Sequence, residues 1–405
     1  VCKHRKFKPI FNIIFKYIEI SEIDTVTGES KPVEVLGQNA PSRAQRMVKE
    51  GDVIISTVRP NRNAVSLINE EQNGFVCSTG FTVLKAEEIA PEYLFTYLKT
   101  KYSIKQLERK TTASMYPAVN EDDILKSLFF KADDESQKKI QKLIIEFTKC
   151  LQESKLLYSQ AEQILLEELG LEDLDLKDDL FCTTTLKEVK DNNRMDTYFF
   201  MPKFDIGSSK LKMEYKLKSV LELSRDVTTG QYCNEYIDRK SGIPYIRGTD
   251  ISNATINEDN LVYVDNPKNN GSKKVKEGDV VTTRVGTIGL VARIPRELEG
   301  CIISDNLIRI RLPKKSEISS YYLTMYLNSP FGKDLMISYS RGSVQQRLNQ
   351  ETLKEIPIPI VSNSLQVKIE RFLVESWRKR KEAKQLLEQA KHKVEEMIEK
   401  EAGVK

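Results

Sequence analysis

Val48-Lys49-Glu50-Gly51-Asp52-Val53 recurs, residue for residue, as Val275-Lys276-Glu277-Gly278-Asp279-Val280. Six identical residues in the same order, far apart in one chain, mark an internal repeat. Outward from this stretch, Tyr17-Ile18 returns as Tyr245-Ile246. Tyr93-Leu94, Asn120, Gln137, Ile140, Glu146 and Ala161 return as Tyr322-Leu323, Asn349, Gln366, Ile369, Glu375 and Ala390. The offset drifts slightly along these matches, as small loop insertions would produce. The chain reads as two copies of one module.

Each copy has the same internal order. Residues 53–58 and 280–285 follow the repeated Gly-Asp turn and are rich in β-branched side chains, which predicts strands. Polar loops follow, Arg59-Pro60-Asn61-Arg62-Asn63 in copy one and Gly286-Thr287-Ile288-Gly289 in copy two. A short helix is expected around 93–101, matched by 321–328, and each copy closes on one long helix.

The long helices carry the clearest period. Ile140, Leu143, Phe147, Cys150, Ser154, Leu157, Ala161 and Ile164 alternate at spacings of three and four, flanked by Ile144, Leu151, Tyr158 and Leu165. In copy two Ile369, Leu373, Ser376, Ala383, Leu387, Ala390, Val394 and Met397 lie on the same seam, interrupted by Arg380. Sustained three–four spacing among charged residues is the coiled-coil pattern, and the small residues Ser154, Ala161, Ala383 and Ala390 allow close approach. At about 1.5 Å per residue each helix spans roughly 50 Å. The simplest arrangement pairs them antiparallel with a β-rich module at either end; the alternative is two amphipathic helices packed on separate cores. The acidic stretch 167–180 reads as a helix end and linker, stopped at Gly170.

The expected class is therefore α+β, with a pseudo-two-fold internal repeat. It places a first β-rich domain at 1–133, a spacer helix at 134–170, a linker at 171–189, a second β-rich domain at 190–362 and a second spacer helix at 363–402. Copy two has the whole of 182–274 ahead of Val275, whereas only 47 residues precede Val48. The first module is thus expected to be short at its N-terminus.

Composition narrows the chemistry. The 405 residues suit two or three domains. Apolar residues make up 40% and charged residues 30%, against typical values of about 45–50% and about 25%. No run approaches the roughly 18 apolar residues of a membrane span, and the basic N-terminus is not a signal sequence, so a cytoplasmic protein is expected. The only histidines are His4 and His392, which exclude a histidine-based triad or a multi-histidine metal site. The six cysteines form no C-x-x-C pair, so no metal site is expected. Neither a G-x-x-x-x-G-K-[ST] loop nor a G-x-G-x-x-G turn is present. The charge is +4, too mild to indicate nucleic acid by itself.

Symmetry indicates more. A duplicated module on a rigid spacer suits duplex DNA, whose backbone is itself pseudo-two-fold and whose two-fold readers touch half-sites about 34 Å or more apart. Because the two modules differ in sequence, their half-sites should differ as well. At this point the chain resembles the specificity subunits of type I restriction–modification systems. The resemblance rests on the two Val-Lys-Glu-Gly-Asp-Val segments and on Ile243-Pro244-Tyr245-Ile246-Arg247-Gly248-Thr249-Asp250-Ile251. It rests also on Ile356-Pro357-Ile358-Pro359 ahead of Gln366, and on Arg194-Met195-Asp196 through Pro202. It implies two target recognition domains joined by two long antiparallel coiled-coil helices, reading an asymmetric bipartite target. It implies no catalytic activity in this subunit. Two methyltransferase subunits would dock, bringing S-adenosylmethionine, and two ATP-driven motor-nuclease subunits can join them. One departure is that the Pro357/Pro359 pair becomes Leu128-Phe129-Phe130 in copy one, and another is the short first module.

Arg, Asn and Gln on loops can make paired hydrogen bonds to base edges. The candidates are Arg43, Gln45, Arg46, Arg59, Asn61 and Arg62 in copy one. In copy two they are Arg247, Arg284, Thr287, Arg341, Gln345, Gln346 and Arg347. Lys3, Arg5, Lys6 and Lys8 are phosphate-contact candidates, and 378–381 reads as a solvated face or partner contact. The competing reading is a non-enzymatic coiled-coil scaffold that binds protein and has no DNA role.

Overall fold

The computed structural model describes residues 4–112, 117–174, 181–252, 254–265, 274–342 and 346–403. They form two compact units, Val1–Ser154 with Arg378–Lys405, and Lys155–Trp377.

Unit 1 opens with β1 (Arg5–Lys6), β2 (Ile14–Ile18), β3 (Val33–Leu36), β4 (Ala44–Met47), β5 (Asp52–Ser56), β6 (Val65–Leu67), β7 (Val76–Ser78) and β8 (Phe81–Lys85). Helices α1 (Pro91–Leu98), α2 (Lys101–Arg109) and α3 (Glu121–Leu125) follow, then the long α4 (Asp134–Leu169). One sheet runs β1-β4-β7-β2-β3 and the other β6-β5-β8. The helical segment expected around 93–101 is two helices, because Thr100 ends the first and accepts from the Ser103 N–H to start the second.

Unit 2 adds α5 (Leu186–Asn192), α6 (Pro202–Glu214), β9 (Leu217–Ser219), α7 (Val220–Leu223) and β10 (Asp226–Thr229). Its repeat then runs through β11 (Ile243–Ile246), β12 (Ile251–Ser252), β13 (Thr255–Ile256), β14 (Val262–Val264), β15 (Val280–Thr283), β16 (Val291–Arg293), β17 (Ile302–Ile303) and β18 (Leu307–Arg311). Next come α8 (Ser320–Asn328), α9 (Pro330–Ser338), α10 (Gln350–Glu355), β19 (Pro357–Pro359) and the long α11 (Asn363–Glu401). The sheets run β10-β18-β15-β16, β14-β11-β17, β12-β13 and β19-β9. The unusual parallel pairing of β2 with β7 is reproduced by β11 with β17, so the two copies share topology as well as sequence.

The repeated hexapeptide is a tight turn. Gly51 and Gly278 take φ of 78° and 83°, the third turn position that side chains disfavour. Asp52 and Asp279 close the turn by accepting from the Lys49 and Lys276 N–H groups, both at 2.8 Å. The stop at Gly170 is equally local: with φ 61° its N–H bonds Glu167 O at 3.0 Å while Leu171 N–H bonds Leu166 O at 2.8 Å, the two bonds of a Schellman cap. Residues 175–180 of the acidic linker lie outside the described residues.

Each long helix contributes to both cores. In unit 1 Ile140, Ile144, Phe147, Cys150 and Leu151 of α4 share one buried cluster with Ala383, Leu387, Ala390 and Val394 of α11, and with α1 and β5. In unit 2 Ala161, Leu165 and Leu169 share another with Leu365, Ile369 and Leu373 and with the module's strands and helices. The buried stripe is thus wider than a two-position seam: Leu165, placed on its flank, is fully buried, whereas Leu157 and Ile164 are half-buried. An ideal helix drifts about 20° per heptad against a 3.5-residue repeat, and the module cores take up the face that drift presents. Arg380, the seam's interruption, pairs with Asp24 and Glu29 at 2.8 and 3.0 Å. Burial alone would raise the Asp24 pKa, but the Arg380 charge and two backbone N–H groups outweigh it and hold it low.

Candidate nucleic-acid interface

In unit 2 three candidate arginines meet at one end of β15. Arg284 follows the strand directly, its N–H bonded to Asn306 O at 3.0 Å and its carbonyl accepting from Leu348 N–H at 2.9 Å. Arg341 and Arg347 exchange backbone bonds of 2.9 and 2.8 Å and so close a short hairpin. Gln345 lies outside the described residues; Gln346, Arg341 and Arg347 are exposed. Burial, and then the like charge of Arg347, hold Arg284 below the usual guanidinium range. Its Nε has no hydrogen-bond partner among the described residues. A cation desolvated beside a second cation, with a donor to spare, suits an anionic oxygen or a guanine edge.

The other candidates of unit 2 are placed differently. Arg247 is turned onto Asp250, with bonds of 3.2 and 3.0 Å, and so braces its own turn. Thr287 is exposed, and its carbonyl accepts from Thr283 Oγ1 at 2.6 Å.

Unit 1 uses the same backbone with other side chains. Thr57 stands where Arg284 stands: its N–H bonds Gly80 O at 2.8 Å and its carbonyl accepts from Val119 N–H at 2.9 Å. Thr112 and Ala118 bridge as Arg341 and Arg347 do, and residues 113–116 between them lie outside the described residues. The guanidinium positions of unit 2 are therefore Thr57, Thr112 and Ala118 in unit 1. Here arginines come from the preceding loop. Arg59 holds φ 50° where the other copy has Gly286 at 78°. A non-glycine residue in this region costs about 1–3 kcal/mol and is often tied to function. Arg59 N–H bonds Pro117 O at 2.7 Å, which brings the 59–62 loop against the hairpin. Asn61 and Arg62 are exposed, as are Arg43 and Gln45, while Gln45 Nε2 bonds Ser42 O at 2.7 Å. Arg46 is turned inward to the Phe81 carbonyl and to Glu121. Arg5 pairs with Asp52 at 2.5 Å, and Lys3 lies outside the described residues.

The residues that repeat identically do other work. Gln137 accepts from Ala90 N–H at 3.1 Å and donates to Ala132 O at 2.8 Å; Gln366 accepts from Ser319 N–H at 2.6 Å and donates to Val361 O at 3.2 Å. Tyr93 donates to Phe130 O at 2.8 Å and Tyr97 to Leu128 O, as Tyr322 and Tyr326 donate to Pro359 O and Pro357 O. The missing prolines of copy one are thus compensated. Leu128 has an N–H that Pro357 lacks, and Gln106 accepts it at 2.8 Å. The motif comparison missed the Thr57/Arg284 equivalence, since the side chains share nothing; equal distance from the repeated Gly-Asp turn was the available signal.

Comparison with known proteins matches the second copy to a family model. Residues 210–391 match the family model of the type I restriction modification DNA specificity domain. A curated relative, the type I restriction enzyme HindI specificity subunit of Haemophilus influenzae, is 24% identical over 111 residues, 26% of this chain and 24% of its own length. The type I restriction enzyme EcoEI specificity subunit of Escherichia coli is 28% identical over 101 residues, 24% of this chain and 17% of its own. The chain thus matches a quarter or less of these relatives' length. Among solved structures, the HsdS subunit from Thermoanaerobacter tengcongensis has a TM-score of 0.36 and 20% identity, with 98% of this chain and 93% of that one covered. The type I restriction-modification S subunit from M. genitalium has a TM-score of 0.38 and 14% identity, with 93% and 85% covered. The chain is thus similar to type I restriction enzyme specificity subunits, and the match to the type I restriction modification DNA specificity domain falls on residues 210–391.

Proposed function

We propose that this chain is the DNA-recognition subunit of a type I restriction–modification complex and has no catalysis of its own. The observation that carries the reading is the specificity domain over 210–391, together with a second copy of its turn, glutamine bridge and tyrosine clamp in unit 1. Each unit reads one half of a split target. Arg284, Arg341 and Arg347 serve one half; Arg59, Asn61 and Arg62, with Arg43, serve the other. Different side chains on equivalent backbone give different half-sites, hence an asymmetric target.

The helices α4 and α11 are the spacer. Their 36 and 39 residues amount to about 54 and 58 Å. The 2.6 Å Glu153–Lys379 ion pair and the shared clusters support antiparallel pairing. Two methyltransferase subunits dock on the subunit and carry S-adenosylmethionine, and two motor-nuclease subunits supply ATP-driven cleavage. No helix among the described residues is long and apolar enough to cross a membrane, in keeping with a cytoplasmic complex.

The test is affinity purification from the native host, with co-purifying proteins identified by mass. Two adenine methyltransferase subunits per chain are expected, and the methylated motif then gives the target. A chain that purifies alone and binds no duplex DNA refutes the reading.

A further inference from the structure

The two copies differ where α1 and α8 end. In unit 2 that position is Asn328, which is buried. Its side chain accepts from the Val291 N–H at 3.3 Å and donates to Val291 O and Thr324 O at 2.8 and 3.0 Å. In unit 1 the same position, at the offset that relates Tyr93 to Tyr322, is Lys99. It is 3% exposed, and its Nζ donates to Thr25 O at 2.9 Å and to Asn63 O at 3.5 Å, with the Phe95 ring centroid 5.8 Å away.

Lys99 lines a cleft of about 520 Å³ between α2 and α11, with Lys101, Ile104, Glu388, Lys391 and Glu395 among its walls. Lys391 pairs there with Glu388 at 2.7 Å and Lys101 with Glu399 at 2.8 Å; Lys99 is held by carbonyls instead. Burial, and then the charge of Lys391, drop its pKa to about 7 against the opposing pull of Asp24 and Glu388. A large share of the folded chain therefore carries a neutral amine there at neutral pH, and a desolvated neutral lysine is a nucleophile.

Charge decides which electrophile suits this amine. A protonated Schiff base with an aldehyde is a cation and meets the same repulsion from Lys391 that disfavours the ammonium. A carbamate is an anion, and Lys391 favours it. In the second copy the position of Lys391 is Glu162 and that of Lys99 is the Asn328 amide, so the pair of amines belongs to unit 1.

We propose that Lys99 is a carbamylation site, which takes up carbon dioxide from the cleft. The Nζ lone pair forms the new N–C bond, one C=O bonding pair moves onto oxygen, and one proton leaves Nζ for water. Amine and carbon dioxide thus give a carbamate and a proton. The remaining Nζ hydrogen keeps the Thr25 bond, and the new carboxylate faces Lys391, tying the end of α1 to α11. This inference is independent of the DNA reading.

The experiment equilibrates the whole chain with limiting bicarbonate at about pH 8, above the Lys99 value, traps carbamates with triethyloxonium ion and reads the digested chain by mass spectrometry. An ethoxycarbonyl group is expected on Lys99. It should be about tenfold or more scarcer on Lys101, at the same cleft, whose bond to Glu399 raises its pKa and keeps it protonated. At fixed dissolved carbon dioxide the yield on Lys99 should fall about tenfold or more for each pH unit below about 7, as the amine takes a proton. Lys391→Gln should lower it about threefold. The pH series uses the unaltered chain, so it reads the site even if that variant fails to fold. No adduct on Lys99, an equal adduct on Lys101, or a yield unmoved by both pH and Lys391→Gln overturns the proposal.

Discussion

Asp52 and Asp279 are the same residue of the same repeated hexapeptide, yet their removal should differ greatly in cost. Asp279 is 2% exposed and takes a paired grip from Arg311, Nε and Nη2 both at 2.7 Å. Arg309, also 2% exposed, stands 3.8 Å away and reaches Asp226 with its other end. Asp279→Ala therefore takes the carboxylate from two guanidiniums at once, leaving Arg309 to Asp226 and the Lys274 carbonyl and the part-buried Arg311 to the Lys274 carbonyl, and breaking a buried pair this way costs about 3–5 kcal/mol. Among the described residues the cation that grips Asp52 is Arg5, at 2.5 Å, and Arg5 is 24% exposed on the two-residue β1. Freed, it can turn to water, so Asp52→Ala loses chiefly the turn bond and some burial, about 1–3 kcal/mol. The single tryptophan, Trp377, stacks on Tyr321 at 5.6 Å within unit 2. Its fluorescence during urea unfolding reports that unit, while far-ultraviolet circular dichroism reports both. With a slope of about 3 kcal/mol per molar urea, Asp279→Ala should lower the tryptophan midpoint by about 1 M or more. Asp52→Ala should leave that midpoint in place and move only the dichroism. Equal tryptophan shifts from the two variants would refute this account of the buried charges.

Further outcomes are expected. Arg284→Ala or Arg347→Ala should change methylation or binding at one half-site only, by about 1–3 kcal/mol per lost base contact; uniform loss on all sequences would move these residues to phosphate contact. Inserting four residues after Tyr158, about 6 Å of helix, should lengthen the preferred spacing between half-sites, read from the methylated motif, and an unchanged spacing would oppose the spacer role of α4. Lys99 is buried beneath Thr25 and Asn63, and desolvation, then Lys391, drop its pKa to about 7. Above that value the unfolded chain still binds the proton and the folded chain does not. Unit 1 should therefore gain stability from pH 7 to 9, up to about 1.4 kcal/mol per pH unit. Lys99→Met should abolish that slope in thermal melts, and a slope retained by the variant would sink the assignment.

How far the sequence reached depends on the kind of contact. Glu-Gly-Asp turns, Schellman stops and helical stripes are set by residues a few positions apart, so spacing alone located the turn at Gly51, the stop at Gly170 and the long helices. The second helix of each pair escaped because Thr100 and Ser329 restart a helix within one or two residues of the previous end, leaving no gap in the pattern. Candidate site residues were legible as types but not as partners. Arg46 and Arg247 look like Arg59 and Arg284 on paper; only folding turns the first two onto Glu121 and Asp250.

By itself, then, the sequence determined the duplication, the order of elements within each copy and the resemblance to type I specificity subunits. All of these are carried by identity and spacing along the chain. Tertiary structure decided which arginine neutralises each repeated aspartate, and which of the candidate arginines turn onto a carboxylate of their own unit. Such choices depend on distance through space. A buried charge or backbone group takes whatever complementary group lies within about 3 Å, wherever that group falls in the chain.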